Sequence, residues 1–236
     1  MCSSDLVLSI VISLLCVSAE AVNSGNNSVY IDQSAADNSV IVITQTGSGN
    51  NVGDRSNLIT PSFVVDGNNM NLTITQDGMN NSIVGNFIGG DSSATITQTG
   101  SGNSLTLTQG NFGTNGGLLN ISKTGDNNNV AITMASTSNT GNYNYSLTIS
   151  GNTNSVTSTM NSKYIANTIS FTGNSNTLTT VQNGANGTAS TPGHQIQLSV
   201  TGNSNTISIT QNGTTSPNIV TLNVAGNSTS TTIVQH

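Results

Sequence analysis

The chain has 236 residues, of which Asn (37), Thr (35), Ser (34) and Gly (25) account for 131. Hydrophobic residues make up 33% and charged residues 5%, against about 45–50% and about 25% in ordinary soluble domains. This composition argues against an enzyme-sized α/β core and rules out helix bundles and coiled coils. With a net charge of −6 and only three cationic residues, the chain has no basic patch for a nucleic acid.

Residues 1–21 are predicted to form a signal peptide. The apolar run at 6–17, LVLSIVISLLCV, is too short to span a bilayer and is typical of a signal-peptide core, and Ala19-Glu20-Ala21 resembles a cleavage site. The alternative is a buried first strand or a capping helix of the mature protein. Cleavage after Ala21 removes Cys2 and Cys16, so we expect a secreted mature chain with no disulfide, no thiol site and no membrane insertion.

A Gly/Asn turn recurs from residue 25 onward and divides 22–236 into repeats. The turn glycines are Gly25, Gly47, Gly67, Gly100, Gly125, Gly151, Gly173, Gly202 and Gly226. They lie 20 to 29 residues apart, except that a gap of 33 residues before Gly100 holds an extra turn, DGMNN at 77–81, and the stretch 82–92. The sequence leaves open whether residues 82–88 add a further strand to that repeat.

Strict alternation flanks each turn, with Thr, Ser or Asn between inward-facing positions. The inward positions read Ile41, Ile43 and Gln45 before one turn, and Leu105, Leu107 and Gln109 after another. Period-two alternation over five to seven residues predicts a strand with one buried face. Gly and Asn tolerate the positive φ that a tight turn between two such strands needs.

The repeats predict an all-β fold, a β-solenoid of about nine two-stranded rungs that stacks end to end. Because one rung cannot bury its apolar face alone, like strands are expected about 4.8 Å above one another, with the two inner faces about 10 Å apart. Inward Gln side chains in register then pair their amides up the stack. The residues predicted to stack are Gln45 and Gln98 before the turn, and Gln76, Gln109, Gln182, Gln211 and Gln235 in one column after it. Turn residues such as Asn50 and Asn103 are expected to form similar ladders outside the core.

Two repeats resemble the curlin repeat, S-x5-Q-x-G-x-G-N followed by a second Gln. In 92–109, SSATITQTGSGNSLTLTQ, the motif positions are held by Ser92, Gln98, Gly100, Gly102, Asn103 and Gln109. In 39–56 they are held by Ser39, Gln45, Gly47, Gly49 and Asn50, with Ser56 in place of the second Gln. The final segment, NSTSTTIVQH, is similar to the way in which curlin subunits end.

The members of this family are secreted subunits of curli, the extracellular amyloid fibres of bacterial biofilms. The resemblance implies export, self-assembly into fibres on the cell surface and adhesion, with a nucleator subunit and a secretion pore as further partners. The chain departs from the family in its larger number of repeats and in irregular inserts such as 183–194, which are expected to lie as loops on one edge.

No residue pattern indicates an enzyme, a cofactor or a metal. His194 and His236 have no partner at metal-ligand or catalytic-triad spacing, and the Asp residues are dispersed in turns. We therefore expect a structural protein whose partner is another copy of itself. The last rung keeps the inward pattern through Ile233 and Gln235 and has no charged cap, which predicts head-to-tail polymerisation through the ends.

Outward Thr-x-Thr pairs support a rival function. The pairs Thr73/Thr75, Thr106/Thr108, Thr157/Thr159 and Ser208/Thr210 are expected to stack into one flat array. Such an array resembles the ice-binding faces of some antifreeze proteins, although Thr is also the favoured polar residue on an exposed strand. An ice-binding β-solenoid and a solenoid adhesin are therefore alternatives to the fibre subunit.

Overall fold

The computed structural model contains strands, turns and connections, and no helix in the residues that it describes. These are residues 20–22, 28–29, 31–33, 37–47, 49–53, 63–100, 102–109, 117–125, 127–135, 143–151, 153–161, 165–173, 175–183, 195–202, 204–212, 219–226 and 228–235. The predicted signal-peptide core, Gly25, His194 and His236 lie outside them. The first strand spans the predicted cleavage point after Ala21, and the cleavage itself stays a prediction.

Eighteen strands follow one another in the part of the chain that the structure describes. They are β1 (Glu20–Val22), β2 (Ile31–Gln33), β3 (Val40–Thr46), β4 (Phe63–Asp66), β5 (Asn71–Asp77), β6 (Ile83–Ile88), β7 (Ser93–Thr99), β8 (Ser104–Gln109), β9 (Gly117–Thr124), β10 (Asn129–Ala135), β11 (Tyr143–Ser150), β12 (Ser155–Asn161), β13 (Ile165–Thr172), β14 (Thr177–Asn183), β15 (Gln195–Gly202), β16 (Thr206–Asn212), β17 (Ile219–Gly226) and β18 (Ser230–Gln235).

The strands form two parallel sheets of nine strands each. Sheet A contains the odd-numbered strands in chain order, and sheet B contains the even-numbered strands in chain order. Each odd strand and the even strand after it make one rung, so the described residues wind through nine rungs. The predicted all-β solenoid of about nine two-stranded rungs is confirmed.

The core lies between the two sheets and is built by the alternation seen in the sequence. In β5 and β7 every second side chain is buried, and Ile43, Ile74 and Ile96 lie directly above one another in register. All three are fully buried. A slip of one residue would turn each apolar row to solvent, so burial fixes this register.

One corner of the solenoid is a column of stacked glycines. The column contains Gly47, Gly78, Gly100, Gly125, Gly151, Gly173, Gly202 and Gly226. A Cβ at Gly100 would lie 1.6 Å from the carbonyl oxygen of Gly78, and the same overlap recurs at each glycine from Gly78 to Gly202. Backbone hydrogen bonds continue through the corner, for example from Gly100 N to Thr124 O (2.9 Å). Only glycine therefore fits this column at the spacing of the rungs.

The prediction that Gly67 belongs to this column is wrong. Gly67 lies at the opposite corner, between β4 and β5, and the glycine stacked on it is Gly89. The extra turn at 77–81 supplies Gly78, which is the true corner glycine of that rung. Residues 83–88 form β6, the second strand of the same rung, so each described rung has two strands.

The misplaced turn shifted two further predictions. Because β5 belongs to sheet A, Gln76 lies between Gln45 and Gln98 and not in the sheet B column of Gln182. For the same reason Thr73 and Thr75 lie on the outer face of sheet A, away from the pair Thr106/Thr108 of sheet B. The two turn sequences, DGNN and DGMNN, look alike locally, and only the sheet pairing separates them.

We predict that Gly100→Ala is far more destabilising than Gly102→Ala. Both residues have positive φ, +122° and +80°. Around Gly102, however, the nearest atoms to a Cβ lie 3.6 Å away, so the alanine there costs only the backbone strain of about 1–2 kcal/mol. Gly100→Ala adds a clash with the Gly78 carbonyl and should cost more than about 3 kcal/mol. Urea unfolding followed by circular dichroism measures the free energy of unfolding of both variants. Equal losses of stability in the two variants would show that the corner is not tightly stacked.

Candidate functional site

A ladder of asparagine amides runs up the inside of the glycine corner. Its residues, each three positions after a corner glycine, are Asn50, Asn81, Asn103, Asn128, Asn154 and Asn176. In each step Nδ2 donates to Oδ1 of the Asn in the rung before, as from Asn128 to Asn103 (2.5 Å) and from Asn154 to Asn128 (2.6 Å). The other steps join Asn81 to Asn50, Asn103 to Asn81 and Asn176 to Asn154.

The ladder lies in the core, and the expectation that the turn Asn residues stack outside it is wrong. The ladder residues are at most 3% exposed. The reason is parity: the third position after the glycine points to the same side as the fifth, which is the first inward residue of the strand. The strand alternation therefore extends one step into the turn, a signal that was present in the sequence.

Glutamine amides pair up the stack in both sheets. In sheet A, Gln98 Nε2 donates to Gln76 Oε1 (2.7 Å) and to Ser104 O (3.0 Å). In sheet B, Gln211 Nε2 donates to Gln182 Oε1 (3.0 Å), and Gln182 lies inward as the alternation predicts.

The sheet B column also passes through Gln109 and Gln235. Gln109 pairs through its backbone with Phe87 and Met134, but its side chain lies outside the described part of the chain. Gln235 pairs with Gln211 in the last rung and is exposed. The role of these residues in polymerisation stays a prediction.

Lys123 interrupts the sheet A column of glutamines. It pairs with Gln98 on one side and Ile149 on the other, and its side chain is fully buried. Its Nζ donates to the carbonyl oxygen of Asn129 (2.5 Å). Burial lowers the pKa of Lys123 from 10.5 to about 6. The alternation had placed Lys123 inward, but a single lysine in a repeat pattern carries no signal of its protonation state.

Tyr145 is a second titratable side chain, among those described, whose pKa is changed by burial in the core. It is almost completely buried, and among the described residues its hydroxyl has no hydrogen-bond partner. Burial raises the pKa of this phenol well above 10.0. The tyrosine is therefore neutral over the physiological range.

The last described rung, formed by β17 and β18, has one open side, and we call it the open rung. Within the described residues each of its strands pairs with one neighbour only, β15 or β16. Ile233 is 41% exposed, although Ile209, its register partner in β16, is fully buried. Val220, Leu222 and Val224 are likewise half-buried at the end of columns that are buried in the rung before. The open rung thus presents a row of apolar side chains beside unpaired backbone groups.

The described part of the chain holds neither a metal-binding cluster nor a membrane-spanning helix. It contains no group of three or more His, Cys, Asp or Glu side chains placed to hold a metal ion. None of its segments is a helix long and apolar enough to cross a bilayer.

Comparison of the chain with protein-family models, with curated proteins and with solved structures finds no match. The resemblance to curlin repeats therefore rests on the residues of 39–56 and 92–109 themselves.

We predict that Asn103→Asp destabilises the fold by about 3 kcal/mol or more at pH 7, because a buried carboxylate then faces Asn81 Oδ1 without a donor. Protonation of that carboxyl restores a donor, so the loss should shrink as the pH falls. Asn127→Asp makes the same chemical change at an exposed turn position, and it should change the free energy of unfolding by no more than about 0.5 kcal/mol.

Urea unfolding of the Asn103→Asp and Asn127→Asp variants at pH 7 and pH 4 makes the comparison. Equal effects of the two substitutions would show that Asn103 does not lie in a buried ladder.

Proposed function

We propose that the chain is a secreted structural subunit that self-assembles end to end into curli-like extracellular amyloid fibres, which serve biofilm matrix and surface adhesion. The observation that carries this proposal is the open rung. Its apolar row and its unpaired strand edges are the surface that each earlier rung offers to the next one.

The open rung lacks the features that usually protect a sheet edge. Native proteins cover edge strands or place charges, prolines or bulges on them. Residues 219–235 contain no charged residue and no proline, and β17 and β18 keep the register of the rungs before them. An edge of this kind favours the addition of another pair of strands.

The docking of a second copy of the chain on that edge is supported by the register of the first rung, which belongs to the same columns. In the register of sheet B, Ile31 of β2 belongs to the same column as Ile233 of β18. Gln33 belongs to the same column as Gln235. Docking the first rung of one copy on the last rung of another would extend these two columns of sheet B without a change of register. Such a head-to-tail contact does not close on itself and so propagates a filament.

The resemblance to curlin repeats supports the biological setting of this proposal. It adds export, fibre growth from a nucleator subunit and passage through a secretion pore. Export, nucleation and passage through a pore are what the resemblance implies, and they concern steps before and after the stacking of the subunits.

An ice-binding face is the second candidate, favoured by the outer surface of sheet B. In register, this surface carries the pairs Thr106/Thr108 and Thr157/Thr159, with Ala131 and Thr133 between them. Val181 and Val234 interrupt the second column, and the array is shorter than predicted because Thr73 and Thr75 lie on sheet A. Persistent monomers that lower the freezing point without changing the melting point would favour this candidate.

We predict that Ile233→Lys strongly slows filament elongation, whereas Thr232→Lys does not. Both substitutions add one charge to β18, but Ile233 belongs to the inward row and Thr232 to the outer face. A lysine at 233 would be buried against the next copy, which we expect to slow elongation at least tenfold. Thioflavin fluorescence with seeded filaments, checked by electron microscopy, measures the rate.

Ile233→Pro gives an independent test, because it removes a ladder donor while the earlier rungs touch only their neighbours. Circular dichroism should show that all three variants are folded. Elongation of Ile233→Lys and Ile233→Pro at the wild-type rate would contradict end-to-end assembly.

A further inference from the structure

Lys123 lies in the fifth of the nine rungs, in the middle of the solenoid core. Its neighbours in the column are the Gln98 amide on one side and the Ile149 side chain on the other. The side chain is fully buried, and Nζ donates to the Asn129 carbonyl, which belongs to the other strand of the same rung. A neutral amine is suited to this site, since it needs few partners and loses little hydration on burial.

The surroundings of Lys123 hold no carboxylate in the described residues. The strands packed around it are β7 and β11 in sheet A and β8, β10 and β12 across the core, and none of them contains Asp or Glu. On these strands, the titratable side chain that the structure describes is Tyr145, which is buried and neutral. Asp126, in the turn between β9 and β10, lies outside the described residues.

We propose that Lys123 is an acid-sensitive switch at the centre of the solenoid: its side chain is accommodated as an amine, and uptake of a proton by Nζ loosens the rungs that enclose it. An ammonium group has three N–H donors and a full charge to satisfy, and a buried charge without a counter-ion is strongly destabilising. Each rung depends on its neighbours for its core, so loosening the fifth rung weakens the middle of the stack. The switch does not depend on the proposed function, because it acts within one chain.

The direction of the effect follows from the two states of the chain. The pKa of Lys123 is about 6 in the folded chain, against 10.5 for an ordinary lysine. Between these values the unfolded chain binds a proton that the folded chain does not, so stability rises with pH in that window. Because of this lysine, each fall of one pH unit between about pH 10 and about pH 6 should raise the unfolding equilibrium constant roughly tenfold. Below about pH 6 the folded chain also takes up the proton, and the contribution levels off.

Urea unfolding of the full chain at pH 6, 8 and 10 tests the switch in four proteins. In the wild-type protein the free energy of unfolding should rise with pH. Lys123→Gln, which continues the glutamine column, should lose the part of this slope that one proton contributes, and it should be more stable than the wild type at pH 6. Lys163→Gln makes the same substitution in the connection between β12 and β13, and Asp126→Asn removes the nearest carboxylate in sequence. Both controls should keep the wild-type slope.

A nuclear magnetic resonance titration of the lysine side chains in the wild-type protein gives a readout that needs no variant. One of the two lysines, assigned by comparison with Lys163→Gln, should change its Cε shift near pH 6. A Lys123 resonance that titrates near pH 10 would overturn the proposal, as would a Lys123→Gln variant with the full wild-type slope. If Lys123→Gln fails to fold, the titration alone decides.

Discussion

The spacing of the rungs at the glycine corner is the constraint on which the rest of the structure depends. From Gly78 to Gly202, each corner glycine approaches the carbonyl oxygen of the glycine below so closely that a Cβ has no room. Stacking at this distance brings every residue of one rung directly over its equivalent in the next. The asparagine ladder, the paired glutamines and the isoleucine rows are consequences of that single repeat distance.

Strict stacking also pairs core amides that a single rung would leave without a partner. A buried amide is costly unless its donors and acceptors are satisfied, and one rung alone cannot satisfy them. In the stack, Asn128 donates to Asn103 and Gln98 donates to Gln76, so neighbouring rungs supply the missing partners. In the open rung the same dependence leaves one side of Ile233 and its row without a neighbouring strand in the described residues.

Much of this arrangement can be read from the sequence, because period-two alternation determines which side chains face inward. It placed Ile41, Gln182 and Lys123 correctly in the core. It could not distinguish the turns at Gly67 and Gly78, since both have the same local chemistry and their sheet pairing is a non-local property. The buried environment of Lys123 was also beyond the pattern, because a pKa depends on the groups around the amine in three dimensions.

The axial repeat of the filament, measured by cryo-electron microscopy of the mature chain, tests end-to-end stacking most directly. The nine strands of sheet B all lie after the predicted cleavage point, and at about 4.8 Å each they predict one subunit about every 43 Å along the axis, with all strands perpendicular to it. The rung spacing should continue across the junction between copies without a gap. A different subunit repeat, strands that run along the axis, or the absence of filaments would contradict the account.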